Sequence, residues 1–283
     1  MIAPTRYSAN IDIGRQQRLS AAISRDREQI STQRRIARAS DDAAGTARLS
    51  ALARRETQAT AWAVNAERAR GIAASADSAL GSSQTVVDRA IETLSAAISD
   101  TASPQGRAVA ADLLDSLAAE LDELRAATDS DGSPLFPAQT PLAIPISETL
   151  NVQATLSIST AFAVDLMSGP TDIANILRNA ATALRDGSPT ALTAARTSVD
   201  DLTTARDHLA SSRGTLGIAA ARIDATIDRL SDQQLTIDEE REAIDGVDLA
   251  ATIARIQSNQ LTLEAAQGLF ARLNRATLFD LLG

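Results

Sequence analysis

The sequence predicts a mainly α fold: an elongated helical bundle with coiled-coil pairing of the N- and C-terminal helices and a small β-hairpin insertion. Three observations carry this. A large aliphatic residue returns at every seventh position through Leu202, Leu209, Leu216, Ile223, Leu230, Ile237 and Ile244, the spacing of a coiled-coil seam. At 1.5 Å per residue that stretch is a rod of roughly 65 Å. Aromatic residues make up 2% of the 283 residues while hydrophobic residues reach 44%, so the apolar content is mostly Ala and short aliphatics, which suit narrow helix seams better than a thick globular core. One segment, Leu150 to Ile158, alternates apolar and polar residues with the period of a strand.

In chain order, the first forty residues hold few large aliphatics after Ile2: Ile11, Ile13, Leu19, Ile23, Ile30 and Ile36. Six buried side chains supply at most roughly 9 to 18 kcal/mol. Ordering forty residues costs several times that before helix hydrogen bonds are counted. The arm is therefore expected to be disordered in the free monomer, and helical once it pairs with the last helix, with neighbouring subunits, or with both. Ser40-Asp41-Asp42 marks the next helix start, with Ser40 as the expected N-cap. That helix runs through Leu80, Val87 and Leu94 until Ser103-Pro104-Gln105-Gly106 breaks it, and Leu114, Leu117, Leu121 and Leu124 form the stripe of the following one.

From Asp129 to Pro145 the chain changes character. Asp131-Gly132 signals a turn, and Pro134, Pro137, Pro141 and Pro145 forbid a helix. A β-hairpin is expected between about 140 and 165, closed by Ser168-Gly169-Pro170, with helix resuming at Ile173, Ile176, Ala180 and Leu184. Gly187-Ser188-Pro189 is a turn before the heptads. Gly214 and Gly217 lie inside the heptad helix, and close backbone contact is the expected reason. The repeat breaks at Asp245-Gly246-Val247-Asp248 and restarts, shifted, as Leu249, Ile256, Leu263 and Phe270. The expected domains are a terminal coiled coil (1–40 and 246–283), a helical middle domain (41–130 and 170–245) and a small β-containing insertion (131–169).

Several chemistries are excluded or disfavoured. Cys is absent, which removes disulfides and thiolate catalysis, and all 27 basic residues are Arg, which removes phosphate-binding, Schiff-base and dyad lysines. His208 is the sole histidine and has no triad or metal partners in the sequence, so it reads as a solvated helix residue. Asp129-Ser130-Asp131-Gly132 starts like a calcium loop, but its glycine comes two places early and Thr140 stands where the twelfth-position Glu belongs, which favours a plain turn. The acids at Asp238, Glu239, Glu240 and Glu242 spread around one helix and cannot converge unaided. No enzyme activity, cofactor or metal is expected. Net charge is -9, yet residues 1 to 70 hold 13 Arg against 7 acids, so the basic front is expected to pair with the acidic stretch Asp238 to Asp248. Interleaved acids argue against nucleic acid as a partner. No run of membrane-span length and no Sec-type signal peptide is visible.

Gln29-Ile30-Ser31-Thr32-Gln33-Arg34-Arg35-Ile36, followed by Ser40-Asp41-Asp42-Ala43-Ala44-Gly45, resembles the block near the start of flagellins and flagellar hook-filament junction proteins. Gln58, Trp62 and Asn65 resemble a second motif, Arg213, Leu216 and Gly217 a third, and Asp248-Leu249 with Thr277-Leu278-Phe279-Asp280-Leu281-Leu282 the family's ending. The closing Leu278-Phe279-Asp280 and Asp131-Gly132-Ser133-Pro134-Leu135-Phe136 are most similar to hook-associated protein 3, the junction branch. Gln33 stands where the family has Gly, Ala43 where it usually has Pro, and Ala138 where Gly is expected. The resemblance implies an inner layer of terminal helices lining a tube, a helical domain outside it and the variable hairpin outermost. It also implies an extracellular place in the bacterial flagellum and export through the flagellar secretion system. The implied partners are other copies in a homo-oligomeric ring, a neighbouring hook-associated protein and flagellin, and an export chaperone before assembly. The expected assembly interface comprises Leu19, Ile23, Ile30, Leu249, Ile256, Leu263, Phe270, Leu278 and Phe279. The rival readings are a flagellin filament subunit and, from another class, a flagellin-derived ligand-binding module using the hairpin.

Overall fold

The computed structural model describes residues 3–99, 101–167 and 169–279, with side chains over 10–99, 101–167 and 169–272. Seven helices are described: α1 (Ala3–Thr32), α2 (Ala43–Ala97), α3 (Pro104–Arg125), the short α4 (Ile158–Phe162), α5 (Ile173–Asp186), α6 (Pro189–Asp245) and α7 (Leu249–Phe279). Two antiparallel two-stranded sheets interrupt them, β1 (Ile144–Pro145) with β2 (Asn151–Val152), and β3 (Ala163–Leu166) with β4 (Gly169–Asp172). The mainly α expectation with a small β insertion holds. None of the described helices is long and apolar enough to cross a membrane. Contacts divide the chain into two units, one of residues 1–57 with 234–283 and one of residues 58–233, so the division falls inside α2 and α6.

In the 58–233 unit, the seam of α6 is the spine of the core. Leu202, Leu209, Leu216, Ile223 and Leu230 are all buried. Leu202, Leu209 and Leu216 share one core with Leu80, Val87 and Leu94 of α2, Leu114, Leu117 and Leu121 of α3, and Ile173, Ile176, Ala180 and Leu184 of α5, while Ile223 packs in a second cluster with Ala66, Ala69 and Ala73 of α2 and with Ile146 and Val152. Helices α3 and α5 lie against each other. Among the described residues the fully buried aromatics are Phe136 and Phe162, which meet edge-on with ring centroids 5.0 Å apart. Helix ends are set by local chemistry. Ser103 accepts from the Gly106 amide with Pro104 in the first turn, Asp172 accepts from the Ala174 amide, and Gly187 adopts φ 65° to terminate α5.

The long strand expected over 150–158 is cut to Asn151–Val152. Two side-chain bonds explain this. The Thr155 hydroxyl donates to the Leu135 carbonyl at 2.6 Å, which turns a nominally outward residue inward. Ser157 then accepts from the Thr160 amide and starts α4 at Ile158. Hairpin β3–β4 was not expected from the sequence as a separate element. Gly169, at φ 106°, and Pro170 lie in β4 opposite Leu166 and Asp165, while Ser168 lies outside the described residues. The Asp129–Gly132 segment is the expected turn: the Asp129 carboxylate accepts from the amides of Asp131 at 2.9 Å and Ser133 at 2.8 Å, and Gly132 sits at φ 78°.

Two further expectations are corrected. A Cβ added at Gly214 or Gly217 would meet nothing within 4 Å, so no close backbone approach accounts for either glycine. His208 is half-buried rather than solvated, and its Nε2 lies 2.9 Å from the Thr160 carbonyl, tying α6 to α4. Residues carrying the family resemblance have structural roles here. Arg213 donates to both carboxylate oxygens of Asp77 at 2.9 and 3.1 Å, and Asn65 donates to the Pro145 carbonyl at 2.9 Å.

Candidate assembly interface

In the unit formed by the two ends, α1 lies against α7. Shielded positions run through Asp12, Gln16, Leu19, Ile23, Asp26 and Ile30 on α1, and through Thr252, Ile256, Asn259, Leu263, Ala266 and Phe270 on α7. Steps of four and three alternate on both helices, which is the spacing of a coiled coil. Ile23 is 6% exposed and Thr252 1%, whereas Leu19, Ile30, Ile256, Leu263 and Phe270 are only half-buried. Polar residues at seam positions weaken a coil and fix its register. Asp26 is one of them, its side chain 14% exposed and 3.6 Å from Arg255.

The seam of this single chain is thus thin, and apolar side chains remain uncovered around it. Ile11, Ile13, Leu249, Ile253, Leu261 and Leu269 are 41 to 69% exposed. Leu249, expected on the seam, is among them at 43% because it sits in the first turn after the α6–α7 break. The side chains of Leu278 and Phe279 lie outside the described residues.

The two crossings that lead into this pair, residues 33–42 and 246–248, meet at Asp245. Its carboxylate is buried and accepts from the Ile36 amide at 2.8 Å, with the Arg34 guanidinium 3.3 Å away. Its carbonyl accepts from the Arg35 amide at 2.7 Å, and Arg35 Nε donates to the Ile244 carbonyl at 2.9 Å. The other end of Arg35 reaches Asp42 at 2.9 Å. Asp42, not the expected Ser40, caps α2, accepting from the Gly45 amide at 2.7 Å. That amide bond, with Arg35 beside it, holds the Asp42 carboxyl below its usual range. Further along α2 and α6, Arg241 pairs with Glu56 and keeps that carboxyl low as well, and Arg48 meets Glu240 at 3.0 Å.

The expected charge pairing is therefore redistributed. The helical partner of α1 is α7, and the arginines of the basic front that reach the 238–248 acids among the described residues are Arg34, in the crossing, and Arg48, in α2. Sequence reasoning found the break at Asp245 and missed its partners, because a contact across 209 residues leaves no periodic trace. Gln33 supplied the one available signal. It stands where the resemblance expects Gly, and it adopts φ 55° immediately after α1.

The candidate interface is thus a seam-poor coil of the chain's own two ends, built from long helices and flanked by uncovered apolar residues. Residues 5–140 match the family model described as the bacterial flagellin N-terminal helical region, and residues 199–282 match the bacterial flagellin C-terminal helical region. The chain belongs to the bacterial flagellin family, a family of structural flagellar proteins. No curated protein matches it at the sequence level. Its fold is similar to a structure described as a flagellar hook-associated protein from Vibrio parahaemolyticus, at 13% identity and a TM-score of 0.68, covering 73% of this chain and 100% of that one. It is also similar to FlgL of Xanthomonas campestris, at 14% identity and a TM-score of 0.60, covering 67% of this chain and 99% of that one.

Proposed function

We propose that this chain is a non-enzymatic subunit that joins the flagellar hook to the filament by polymerising through α1 and α7. The observation that carries the reading is the exposed apolar set around an incomplete seam: Ile253, Leu261 and Leu269 on α7, with Ile11 and Ile13 on α1. A two-helix coil with half its apolar residues in water gains free energy when copies cover one another's seams. Assembly then holds the α1–α7 pair closed, and the ring so formed presents a different partner on each rim, a hook-associated protein on one and flagellin on the other. The fold likeness to hook-associated structures supports the junction role over the bulk filament role. Placement outside the cell, export through the flagellar channel and a chaperone on the C-terminal helix accompany this reading.

The alternative within the family is flagellin itself, as both family descriptions print that name. Deleting the gene and imaging the cells separates the two. Bare hooks with filament material shed into the medium are expected for a junction protein. Hooks that still carry junction proteins but lack filaments would identify flagellin, and motile cells with intact filaments would overturn both readings. At the residue level, Ile256→Asp should abolish assembly while the 58–233 unit stays folded, and normal assembly of that variant would remove the seam from the interface.

A further inference from the structure

The bonds around Asp245 have a pattern that polymerisation does not require. An α-helix leaves its first four N–H groups and last four carbonyls without intrahelical partners. At the end of α6, the Ile244 and Asp245 carbonyls are taken by Arg35, and the Glu242 carbonyl by the Gly246 amide at 2.8 Å. At the start of α2, the Gly45 amide is taken by Asp42, which is itself held by Arg35. The buried Asp245 carboxylate occupies the Ile36 amide and meets Arg34. The segment 34–36 thus caps one helix and steadies the cap of the other. With the single exception of Gln29, whose Nε2 donates to the Arg35 carbonyl at 2.8 Å, none of these groups comes from α1 or α7.

From this geometry we infer that the Asp245 clasp is a stop: it lets the α1–α7 pair open and close without unzipping α2 and α6. Fraying that runs inward along α1 or α7 meets helix ends at which the Ile244 and Asp245 carbonyls are already held by Arg35 and the Gly45 amide by Asp42. Two glycines show how closely the clasp fits. A Cβ at Gly45 would lie 2.7 Å from both the Asp42 carboxylate and Ile36 Cδ1, and one at Gly246 would fall on the Glu242 carbonyl. The device separates the order of the arms from the order of the body, so the arms can change state on their own. It does not depend on which flagellar neighbours the chain meets.

Amide hydrogen exchange on the full-length free chain tests it, read at residues 46–57 and 234–244. Ile256→Asp, which opens the α1–α7 pair, should leave exchange in those two segments unchanged. Asp245→Ala should speed exchange there by on the order of tenfold or more, and in the Ile256→Asp background it should do the same, since a charged hydrogen-bond acceptor is lost in both. Arg35→Gln, a substitution at a side chain 47% exposed, should open the start of α2 and the end of α6 together. It decides the question if Asp245→Ala unfolds the whole chain. The inference is overturned if Ile256→Asp alone opens both segments, or if Arg35→Gln leaves both at the wild-type rate.

Discussion

Replacing Leu209 with Ala tests whether the seven-residue repeat is the structural spine of the 58–233 unit. Leu209 has 0% exposure and sits in the core shared by α2, α3, α5 and α6. Deleting three buried carbons costs about 2.4 kcal/mol at about 0.8 kcal/mol each, and the cavity left by incomplete collapse raises the loss to about 3 kcal/mol. For a unit of this size that lowers the midpoint of thermal unfolding by about 6 to 12 °C. Trp62 is the sole tryptophan, is half-buried and belongs to the same unit, so its fluorescence in a urea titration reports this unit directly. Ile218→Ala, on the same helix but 61% exposed, is the matched control and should stay within about 0.5 kcal/mol of wild type. Equal losses in the two variants, or a loss under about 1 kcal/mol at Leu209, would refute the assignment of the repeat to burial.

Three other outcomes are expected. Gln33→Gly relieves a left-handed backbone at the end of α1 and should stabilise the crossing by about 1 kcal/mol, seen as slower exchange of the Ile36 amide. Gly214→Ala and Gly217→Ala meet open space in helical backbone, so each should stabilise the 58–233 unit by about 1 kcal/mol in the free chain; a loss of stability in dilute solution would mean the glycines serve something the single chain already contains. Acid should loosen the helix ends around the clasp. Asp42 and Glu56 both have carboxyls held below their ordinary range, so their contribution is complete above the unfolded carboxylate values near 4 and disappears as pH falls through the lower folded values. Exchange at the Gly45 amide from pH 7 to pH 2 checks this, and insensitivity below pH 4 would contradict it.

Much of the architecture was legible because helices write their burial into sequence at short range. The heptads from Leu202 to Ile237 are buried one after another, the α3 and α5 stripes face the core, Gly187-Ser188 and Asp245-Gly246 fall where α5 and α6 end, and Ser103-Pro104 starts α3, although α2 stops earlier, at Ala97. The alternating stretch at 150–158 misled for a physical reason. Period two records which side chains turn inward and says nothing about whether a neighbouring strand supplies hydrogen bonds; Thr155 bonds instead to the distant Leu135 carbonyl, and Ser157 to the nearby Thr160 amide. The glycines of α6 misled in the opposite sense, since a glycine marks a place without a side chain whether or not anything approaches it.

What the sequence by itself determined is therefore the set of long amphipathic helices, their breaks and the likeness of both ends to the flagellin family. Periodicity, caps and motifs are all properties of a few consecutive turns. The tertiary structure alone decided that Asp42 and not Ser40 caps α2, and that the carboxylate of Asp245 gathers Arg34 and Ile36 from more than two hundred residues away. Such bonds depend on where two helix ends meet in space, and a carboxylate or an amide carries no mark in the sequence of the group that will satisfy it.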